Sequence, residues 1–410
     1  MRAHAAAERL GLLSRAALRR GARLALAAAC TLLSGCGTLY LMQAAHGEWS
    51  VLHAREPIDK VLADPHTSPE LRARLSEVRA ARAFASSDLG LPDNDSYRSY
   101  ADIGRPYVVW NVVATPEFSL QPKRWCFPVA GCVDYRGYFH QREARDFGLE
   151  LESQGFDVVV EGVPAYSTLG KFGDPVLSSM LRYSDEELAA TIFHELAHQL
   201  LYVRDDSEFN EAFATTVEDT GLERWLAHQG QTARMRAFRE DQAQEQEFLD
   251  LLARTRAELV RLYASGLPPA AMRERKRQTF ARLAAEMRAL ERRQGETYPL
   301  YEEWIAAGLN NAHLAAVATY YNCVPGFTRL LEREDDDLER FYTAARALAK
   351  EPRAERHAQL CTPPATAPAA AASPRYTGRF AGAVWRSATR TRSPRAVTGT
   401  GEAQRAAGAA

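Results

Sequence analysis

The sequence predicts an α+β fold that is mainly helical, with a small N-terminal sheet packed on a helical core and a long helical hairpin. Short segments rich in β-branched and aromatic residues lie between residues 97 and 163, and Pro and Gly bound them. Helical periodicity dominates after residue 184. Residues 231–295 are charged and helical in pattern, and the GLPP sequence at 266–269 interrupts them once, which indicates two helices joined by a turn.

The composition is that of an ordinary globular protein. The chain has 410 residues, of which 46% are hydrophobic and 25% are charged, so it can bury a sizeable core. The formal net charge is -1, which gives no overall attraction to a highly charged partner. We therefore expect no nucleic-acid partner.

The N-terminus has the pattern of an export signal. Six arginines lie within the first 23 residues, and the apolar run that follows at 24–33 is too short for an ordinary membrane span. The run ends in the sequence LSGC, which resembles a bacterial lipobox ending at Cys36. The sequence therefore predicts a lipoprotein signal peptide at residues 1–35 and a lipid anchor on Cys36. Gly37, where Asp would favour the inner membrane, points to the outer membrane facing the periplasm; an N-terminal anchor or a chance cysteine is the alternative.

Four cysteines remain in the exported chain, where an oxidising compartment favours disulfides: Cys126, Cys132, Cys323 and Cys361. Four cysteines allow three pairings. Proximity along the chain favours Cys126 with Cys132, and this leaves Cys323 with Cys361. Buried free thiols are the alternative interpretation.

The predicted strands are short and clustered. Four segments have strand composition, with the sequences YVVWNVVA, FSL, RGYFH and FDVVVEGV. The segment AYSTLG, at residues 165–170, is predicted as a strand that leads into an irregular connection. It is either an edge strand that pairs with an extended peptide or an ordinary core strand. Residues 49–85 precede the sheet and have a helical pattern.

Two helices are predicted next. Ser184 and Glu187 form a capping-box pattern, which predicts a helix over about residues 185–203. A polar break follows, and Ser207 can cap a second helix that ends near residue 228.

The domain boundaries follow from these changes in composition. Residues 36–360 are predicted to form one domain, which contains the helical hairpin at 231–295. The charges of this hairpin indicate a solvated surface, with a partner-binding role as the alternative. Residues 361–410 are rich in Ala, Pro and Arg and are predicted to be a disordered tail.

The first of the two helices contains the sequence HELAH, in which His194 and His198 lie one turn apart on the same helix face. Zinc prefers three protein ligands with an open position for water, so a third ligand is required. His198 and Glu211 lie at equal distances on either side of the predicted turn, about 10 Å from it along each helix. Glu211 is therefore the predicted third ligand, whereas Glu208 lies too close to the turn.

This pattern predicts a peptidase with one Zn²⁺ per chain. Two histidines and a carboxylate would hold the metal, which acidifies a bound water and polarises a peptide carbonyl. Glu195 would accept the proton of this water and pass it to the leaving amine. The alternatives are a polar stripe on an ordinary helix and a metal that only joins the two helices.

Several segments together resemble the bacterial lipoprotein family described as putative aminopeptidase. They include the lipobox, SYADIGRPYVVWNVVATPEFSLQP, RWCFPVAGCVDYRGYF, AYSTLGKFGDPVLSSML, FHELAHQLLYVRDDSEFNEAFATTVEDTG and NNAHLAAVATYYNCVPGF. The resemblance spans about residues 32–350. It implies a gluzincin-like zinc-peptidase core, with His194, His198 and Glu211 as ligands and Glu195 as the base.

The sequence also departs from well-studied zinc aminopeptidases. It lacks the Gly-x-Met-Glu-Asn loop with which those enzymes recognise the substrate amine. An envelope endopeptidase, a non-catalytic lipoprotein stabilised by metal and an assembly factor therefore remain as alternatives to an aminopeptidase. Thr215 occupies the position that often holds a ligand-orienting Asp, and Glu218 could replace it. Tyr320 or Tyr321 could donate to the oxyanion, or both could be aromatic core.

Overall fold

The computed structural model describes residues 36–127, 131–294 and 301–361, with backbone only for 36–39 and 303. The predicted signal peptide at 1–35 and the predicted tail beyond Cys361 lie outside the described residues. Cys36 is the first residue of a helix, and the site of its predicted lipid is not among the described side chains.

The mainly helical α+β fold is confirmed, including the small sheets and the long hairpin. The helices are α1 (Cys36–His53), α2 (Ile58–Ala63), α3 (Pro69–Ser87), α4 (Gln141–Ser153), α5 (Asp185–Leu200), α6 (Ser207–His228), α7 (Thr232–Tyr263), α8 (Pro269–Gln294), α9 (Glu302–Ala307), α10 (Asn311–Tyr321), α11 (Val324–Arg333), α12 (Leu338–Leu348) and α13 (Arg353–Leu360). The strands are β1 (Arg55–Pro57), β2 (Ser99–Ala101), β3 (Val109–Pro116), β4 (Trp125–Phe127), β5 (Gly131–Val133), β6 (Arg136–Tyr138), β7 (Phe156–Val163) and β8 (Val176–Leu177).

The main sheet is antiparallel, with the strand order β6-β3-β7. Val112 of β3 packs in the apolar cluster shared with α4, and the next residue, Val113, packs against Ala312 of α10. Burial on both faces explains why the YVVWNVVA segment is apolar almost throughout. The sheet is therefore a layer between α4 and α10. The other strands form a small sheet of order β1-β2-β8 and a hairpin of β4 with β5.

Two segments predicted as strands are not strands. The FSL segment follows β3 as a turn, in which the Phe118 ring lies 5.8 Å from that of Tyr263 and Leu120 is buried. Their apolar character therefore reflects packing against α7 rather than pairing in a sheet. Residues 165–168 follow β7 as irregular chain, so neither form of the predicted AYSTLG strand is present.

Helices α5 and α6 form an antiparallel pair, as predicted. Ser184 and Glu187 make both hydrogen bonds of the capping box at the start of α5. Helix α5 ends three residues earlier than expected. The cap of α6 was also misassigned, because Asp206 accepts the hydrogen bond from the Phe209 N–H and Ser207 is already helical. Aspartate and serine are equally good caps, so sequence alone could not choose between these neighbours.

The charged hairpin consists of α7 and α8, and it is attached to the main sheet. Phe248 and Leu252 of α7 are buried with Leu283 of α8, whereas the charged side chains lie largely on the outer surface. Lys276 pairs with Asp157 of β7 at 2.5 Å, and both side chains are mostly buried. The hairpin is thus part of the globule over much of its length.

Helix α1 packs against the edge of the main sheet. The side chain of Gln43 accepts a hydrogen bond from the Phe139 N–H at 3.1 Å and donates one to the Gly137 carbonyl at 3.4 Å. Gly47 permits close approach, because a Cβ at this position would lie 2.0 Å from the Phe139 ring. In the described part of the chain, no helix is both long and apolar enough to cross a lipid bilayer.

The described residues contain two disulfides, and they have the predicted pairing. Cys126 joins Cys132 across the β4-β5 hairpin, and Cys323 joins Cys361 over a separation of 38 residues. The second disulfide joins the end of α13 to the residue that precedes α11.

The buried carboxylate of Asp206, the cap of α6, is surrounded by basic side chains of α13. Its carboxylate is 2.7 Å from Arg356 Nε, 2.7 Å from His357 Nε2 and 3.5 Å from Arg353 Nε, and its side chain has no exposed surface. Burial alone would raise the pKa of this carboxyl group, but His357 and Arg356 lower it below its ordinary value. Helix α13 therefore fixes the start of the helix that carries Glu211.

Replacing Asp206 by Asn should lower the free energy of unfolding by about 3 kcal/mol at neutral pH. Asparagine still caps a helix, but it leaves the buried Arg356 without its counter-charge. The folded pKa of Asp206 is below the unfolded value of about 3.9, so the stabilisation is complete above that pH and is lost as the pH falls through the folded pKa. Urea unfolding of the variant and the unmodified protein from pH 7 to pH 3 tests this. The difference between their free energies of unfolding should become smaller in acid.

The matched control is Asp337→Asn. Asp337 also caps a helix, through the Arg340 N–H at 3.0 Å, but its ion pair is exposed to solvent. This variant should unfold much like the unmodified protein. Equal effects of the two substitutions would show that the buried charge does not stabilise this region. An effect of Asp206→Asn as large at pH 3 as at pH 7 would show that ionisation of Asp206 is not its cause.

Candidate metal centre and active-site pocket

Three side chains predicted as metal ligands converge between α5 and α6. His194 Nε2 lies 3.1 Å from His198 Nε2 and 3.3 Å from Glu211 Oε2, and the last two atoms are 3.5 Å apart. All three residues are buried. The helical pair brings Glu211 level with the two histidines because both lie about two turns from the intervening turn.

These distances fit a tetrahedral metal ion. For ligand bonds of about 2.0–2.1 Å, tetrahedral geometry separates the donor atoms by about 3.3–3.4 Å. Two imidazole nitrogens that face each other at 3.1 Å also need a shared proton or cation between them, since two lone pairs repel. The three residues can therefore hold one divalent cation.

Glu218 lies behind the first histidine. Its Oε2 atom is 3.0 Å from His194 Nδ1, and its side chain is 3% exposed. A carboxylate on the outer nitrogen fixes the ring so that Nε2 points toward Glu211, which is the usual arrangement around a metal-binding histidine. Glu218, one turn beyond the position of Thr215, thus occupies the place in which an orienting acid is expected.

The site is electrostatically suited to a cation. Burial disfavours the charged form of His194, but Glu211 and Glu218 more than compensate and raise its pKa well above the ordinary value. In the other direction, burial opposes ionisation of Glu211, yet His198 and His194 lower its pKa to about 2. The Glu211 carboxylate is therefore ionised at neutral pH, and it favours a proton or a metal ion between the imidazoles.

A second group of possible ligand atoms consists of Cys323, His357 and Cys361. Its two sulfur atoms are bonded to each other in the disulfide. His357 is occupied by the Asp206 carboxylate at 2.7 Å. This group is therefore a structural crosslink.

The three ligand atoms open into a cavity of about 460 Å³ that Glu195 also lines. Within the described residues, no hydrogen-bond donor contacts the Glu195 carboxylate. Burial raises its pKa, and the neighbouring His194 and His198 limit the rise. A carboxylate beside three convergent donors in a pocket is the arrangement expected of a general base.

The sequence supports this geometry with a match to a known family. A family model described as "Putative aminopeptidase" matches residues 39–360. The chain belongs to this family. Curated proteins and solved structures gave no match. Membership in the putative aminopeptidase family indicates peptidase activity, with peptides as substrates. The matched region includes the three clustered donors, Glu195 and the Cys126–Cys132 disulfide.

In this aminopeptidase-family protein, the neighbouring residues Tyr320 and Tyr321 differ in whether their side chains face the cavity. Tyr320 lines the cavity, and Glu211 and Glu195 are among the charges that influence its hydroxyl. Burial raises the pKa of Tyr320 well above its ordinary value, so the hydroxyl is protonated and can donate. Tyr321 is buried elsewhere, with its hydroxyl 3.4 Å from Glu245 of α7. The structure thus separates the two neighbours.

Sequence analysis missed two further tyrosines of the pocket. Tyr135 and Tyr202 line it and lie close enough to Glu211 to interact with its charge. Tyr202 follows His198 by four residues, a signal that could have suggested it. Tyr135 lies between the short strands β5 and β6, where sequence offers no indication of its direction.

The irregular segment after β7, residues 165–169, also lines the pocket. The buried Asp174 holds it in place, since its carboxylate accepts hydrogen bonds from the Ser167 hydroxyl and the Thr168 N–H, both at 3.1 Å. The segment in which a substrate-binding edge strand was predicted therefore does line the cavity, although it is not a strand.

Proposed function

We propose that this protein is a zinc-dependent peptidase of the aminopeptidase type. The observation that carries the proposal is Glu195, an accessible carboxylate in the same cavity as the three donors of His194, His198 and Glu211. Zinc fits the ligand set of two imidazoles and a carboxylate, and this set is used by known catalytic zinc sites.

The roles of the side chains follow from their positions. A zinc ion held by His194, His198 and Glu211 would supply Lewis acidity, which activates water and polarises the scissile carbonyl. Glu195 accepts the proton of the attacking water and delivers it to the departing amine. Glu218 holds His194 in the tautomer whose Nε2 lone pair faces the cluster. No covalent intermediate with the protein is needed.

A purely structural metal is less consistent with the pocket. Structural zinc sites are closed by four protein ligands, whereas three donors from the described residues meet here and the cavity supplies room for a water molecule and substrate. The test is hydrolysis of short unblocked peptides by the metal-loaded protein, with and without a chelator. Cleavage that the chelator stops and zinc restores supports a peptidase, and absence of cleavage across a broad peptide set argues against one.

Replacing Tyr320 by Phe should lower turnover by about tenfold to 100-fold without loss of metal. Its protonated hydroxyl lines the cavity near Glu195, where it can donate to the oxyanion that forms on the substrate. Both kcat and bound zinc should be measured, because loss of metal would lower turnover for a different reason.

Tyr321→Phe is the matched control, because this hydroxyl contacts Glu245 rather than the cavity. Its kcat should stay close to that of the unmodified protein. Unchanged turnover in both variants would remove Tyr320 from the mechanism and make Tyr135 and Tyr202 the next hydroxyls to test.

We also propose a lipid anchor on Cys36 that holds the protein at the bacterial outer membrane, facing the periplasm. The export pattern and the lipobox support this location, and two disulfides are consistent with an oxidising compartment. Mass spectrometry of the mature N-terminus tests it. A lipid-modified Cys36 is the expected result, and an intact residue 1–35 segment contradicts the proposal.

A further inference from the structure

The active-site pocket contains a third carboxylate that the proposed chemistry does not use. Glu48 of α1 lines the cavity together with Glu195 and Glu211. Among the described residues, no lysine or arginine lines this cavity. Even with a divalent ion bound, Glu48 adds negative charge to a wall that has no cation, which favours a positively charged ligand.

The position of Glu48 is fixed by the way α1 packs. Gln43 is hydrogen-bonded to the edge of the main sheet, and Gly47 lies directly against the Phe139 ring. Phe139 itself lines the cavity. The residue after Gly47 therefore sits at the cavity wall, and the Tyr166 hydroxyl donates a hydrogen bond to one of its carboxylate oxygens.

The surroundings of Glu48 leave room for another donor. Tyr166 occupies Oε2, and the Glu48 side chain is only half-buried. Burial raises the pKa of this carboxyl group, Tyr166 and Arg55 oppose the rise, and Asp174 adds to it. Arg55 donates to the carbonyls of Phe172 and Gly173, so it does not neutralise Glu48 through a direct ion pair.

We propose that Glu48 binds the protonated α-amine of the substrate and so directs cleavage to the first peptide bond. This inference rests on the proposed peptidase function. An ammonium group has three N–H donors and one positive charge, so a carboxylate with a free oxygen is its natural partner. Every unblocked peptide carries such a group at one defined distance from its first peptide bond. A fixed carboxylate in the cavity therefore selects both the free terminus and the bond.

The kinetic test uses Glu48→Gln and pairs of peptides that differ only in N-acetylation. The unmodified protein should cleave the free-amine peptide at its first bond and cleave the acetylated peptide poorly. Glu48→Gln should lower kcat/KM for the free-amine peptide by about tenfold to 100-fold, the range for a lost hydrogen bond to a charged group. It should leave the rate on the acetylated peptide nearly unchanged, so the preference for a free terminus disappears.

Two variants separate charge from packing. Glu56→Gln makes the same chemical change at an exposed site just after α1 and should keep the preference. Tyr166→Phe removes the hydrogen bond to Glu48 but keeps its charge, so it should reduce the preference less than Glu48→Gln does. Equal losses in Glu48→Gln and Tyr166→Phe, or an equal fall on free and acetylated peptides, would overturn the proposal.

A binding measurement keeps this test independent of turnover. In zinc-loaded protein with the Glu195→Gln substitution, calorimetry should show that trialanine binds at least about tenfold more tightly than N-acetyl-trialanine. Adding Glu48→Gln should make the two affinities equal. If the difference survives, Glu48 is not the amine site, even if the protein cleaves peptides. If the affinity difference depends on Glu48 but the unmodified protein cleaves no peptide, the amine site stands and the proposed peptidase function fails.

Peptides that begin with lysine test whether Glu48 recognises a basic side chain instead of the terminal amine. If Glu48 instead recognises a basic side chain, Glu48→Gln should weaken only the peptides with an N-terminal lysine, and acetylation should not matter. That pattern would contradict recognition of the terminal amine.

Discussion

Replacing Glu195 by Gln should lower peptide hydrolysis by about 10²- to 10⁴-fold while bound zinc stays at its original level. Glutamine has nearly the same shape but cannot accept the proton of the attacking water, and a general base contributes a factor of this size. No hydrogen-bond donor among the described residues contacts the Glu195 carboxylate, so its replacement breaks no hydrogen bond there. The measurements are kcat on an unblocked peptide and metal content by mass spectrometry.

Glu223→Gln is the control for this substitution. Glu223 lies on the exposed side of α6, where it pairs with Arg239, and its replacement should leave both hydrolysis and metal content unaltered. A Glu195→Gln protein that cleaves peptides at the normal rate would exclude Glu195 as the base. The proton acceptor would then have to be another group in the cavity.

His198→Ala and Glu211→Ala should each abolish stoichiometric metal binding, whereas the unmodified protein should hold about one zinc per chain. Each substitution removes one of the three donors, and the two that remain do not complete the ligand set. The metal should also raise the unfolding temperature of the unmodified protein, because it binds the folded state alone. A chelator should therefore lower that temperature in the unmodified protein but not in the two variants.

Two substitutions outside the cluster serve as controls. Glu208 lies one turn before Glu211, but its carboxylate faces Asn322 at 3.1 Å, so Glu208→Ala should retain the metal. His140 is exposed at the start of α4, and His140→Ala should retain it too. A folded, unmodified protein that binds no stoichiometric metal would overturn the zinc peptidase proposal.

The positions of His194, His198 and Glu211 could be predicted from the sequence because helix periodicity and helix caps determine them. Helical periodicity places His194 and His198 on one face, and the caps fix where α5 begins and where the turn lies. The antiparallel pairing of α5 with α6 then places Glu211, and not Glu208, level with the two histidines. An error of three residues in the end of α5 did not matter, since the alignment depends on the centre of the turn.

The other pocket residues come from distant parts of the chain, and no local pattern indicates them. Glu48 lies 146 residues before His194, and the helical pattern in the sequence begins only at Trp49, although α1 begins at Cys36. The helix makes its close approach to the sheet at Gly47, a residue that sequence rules treat as a helix breaker. Its place in the pocket depends on tertiary packing against β6, which periodicity does not describe.

If Cys36 carries the proposed lipid, the short interval between the start of α1 and the pocket limits where this protein can work. Tyr40 already lines the cavity, and it lies four residues after Cys36, or about 6 Å along a helix. A lipid on Cys36 would therefore leave no flexible tether between the bilayer and the pocket. The opening of the pocket would stay in the layer next to the membrane. Large folded proteins would therefore be excluded, whereas short peptides that diffuse along the surface would have access.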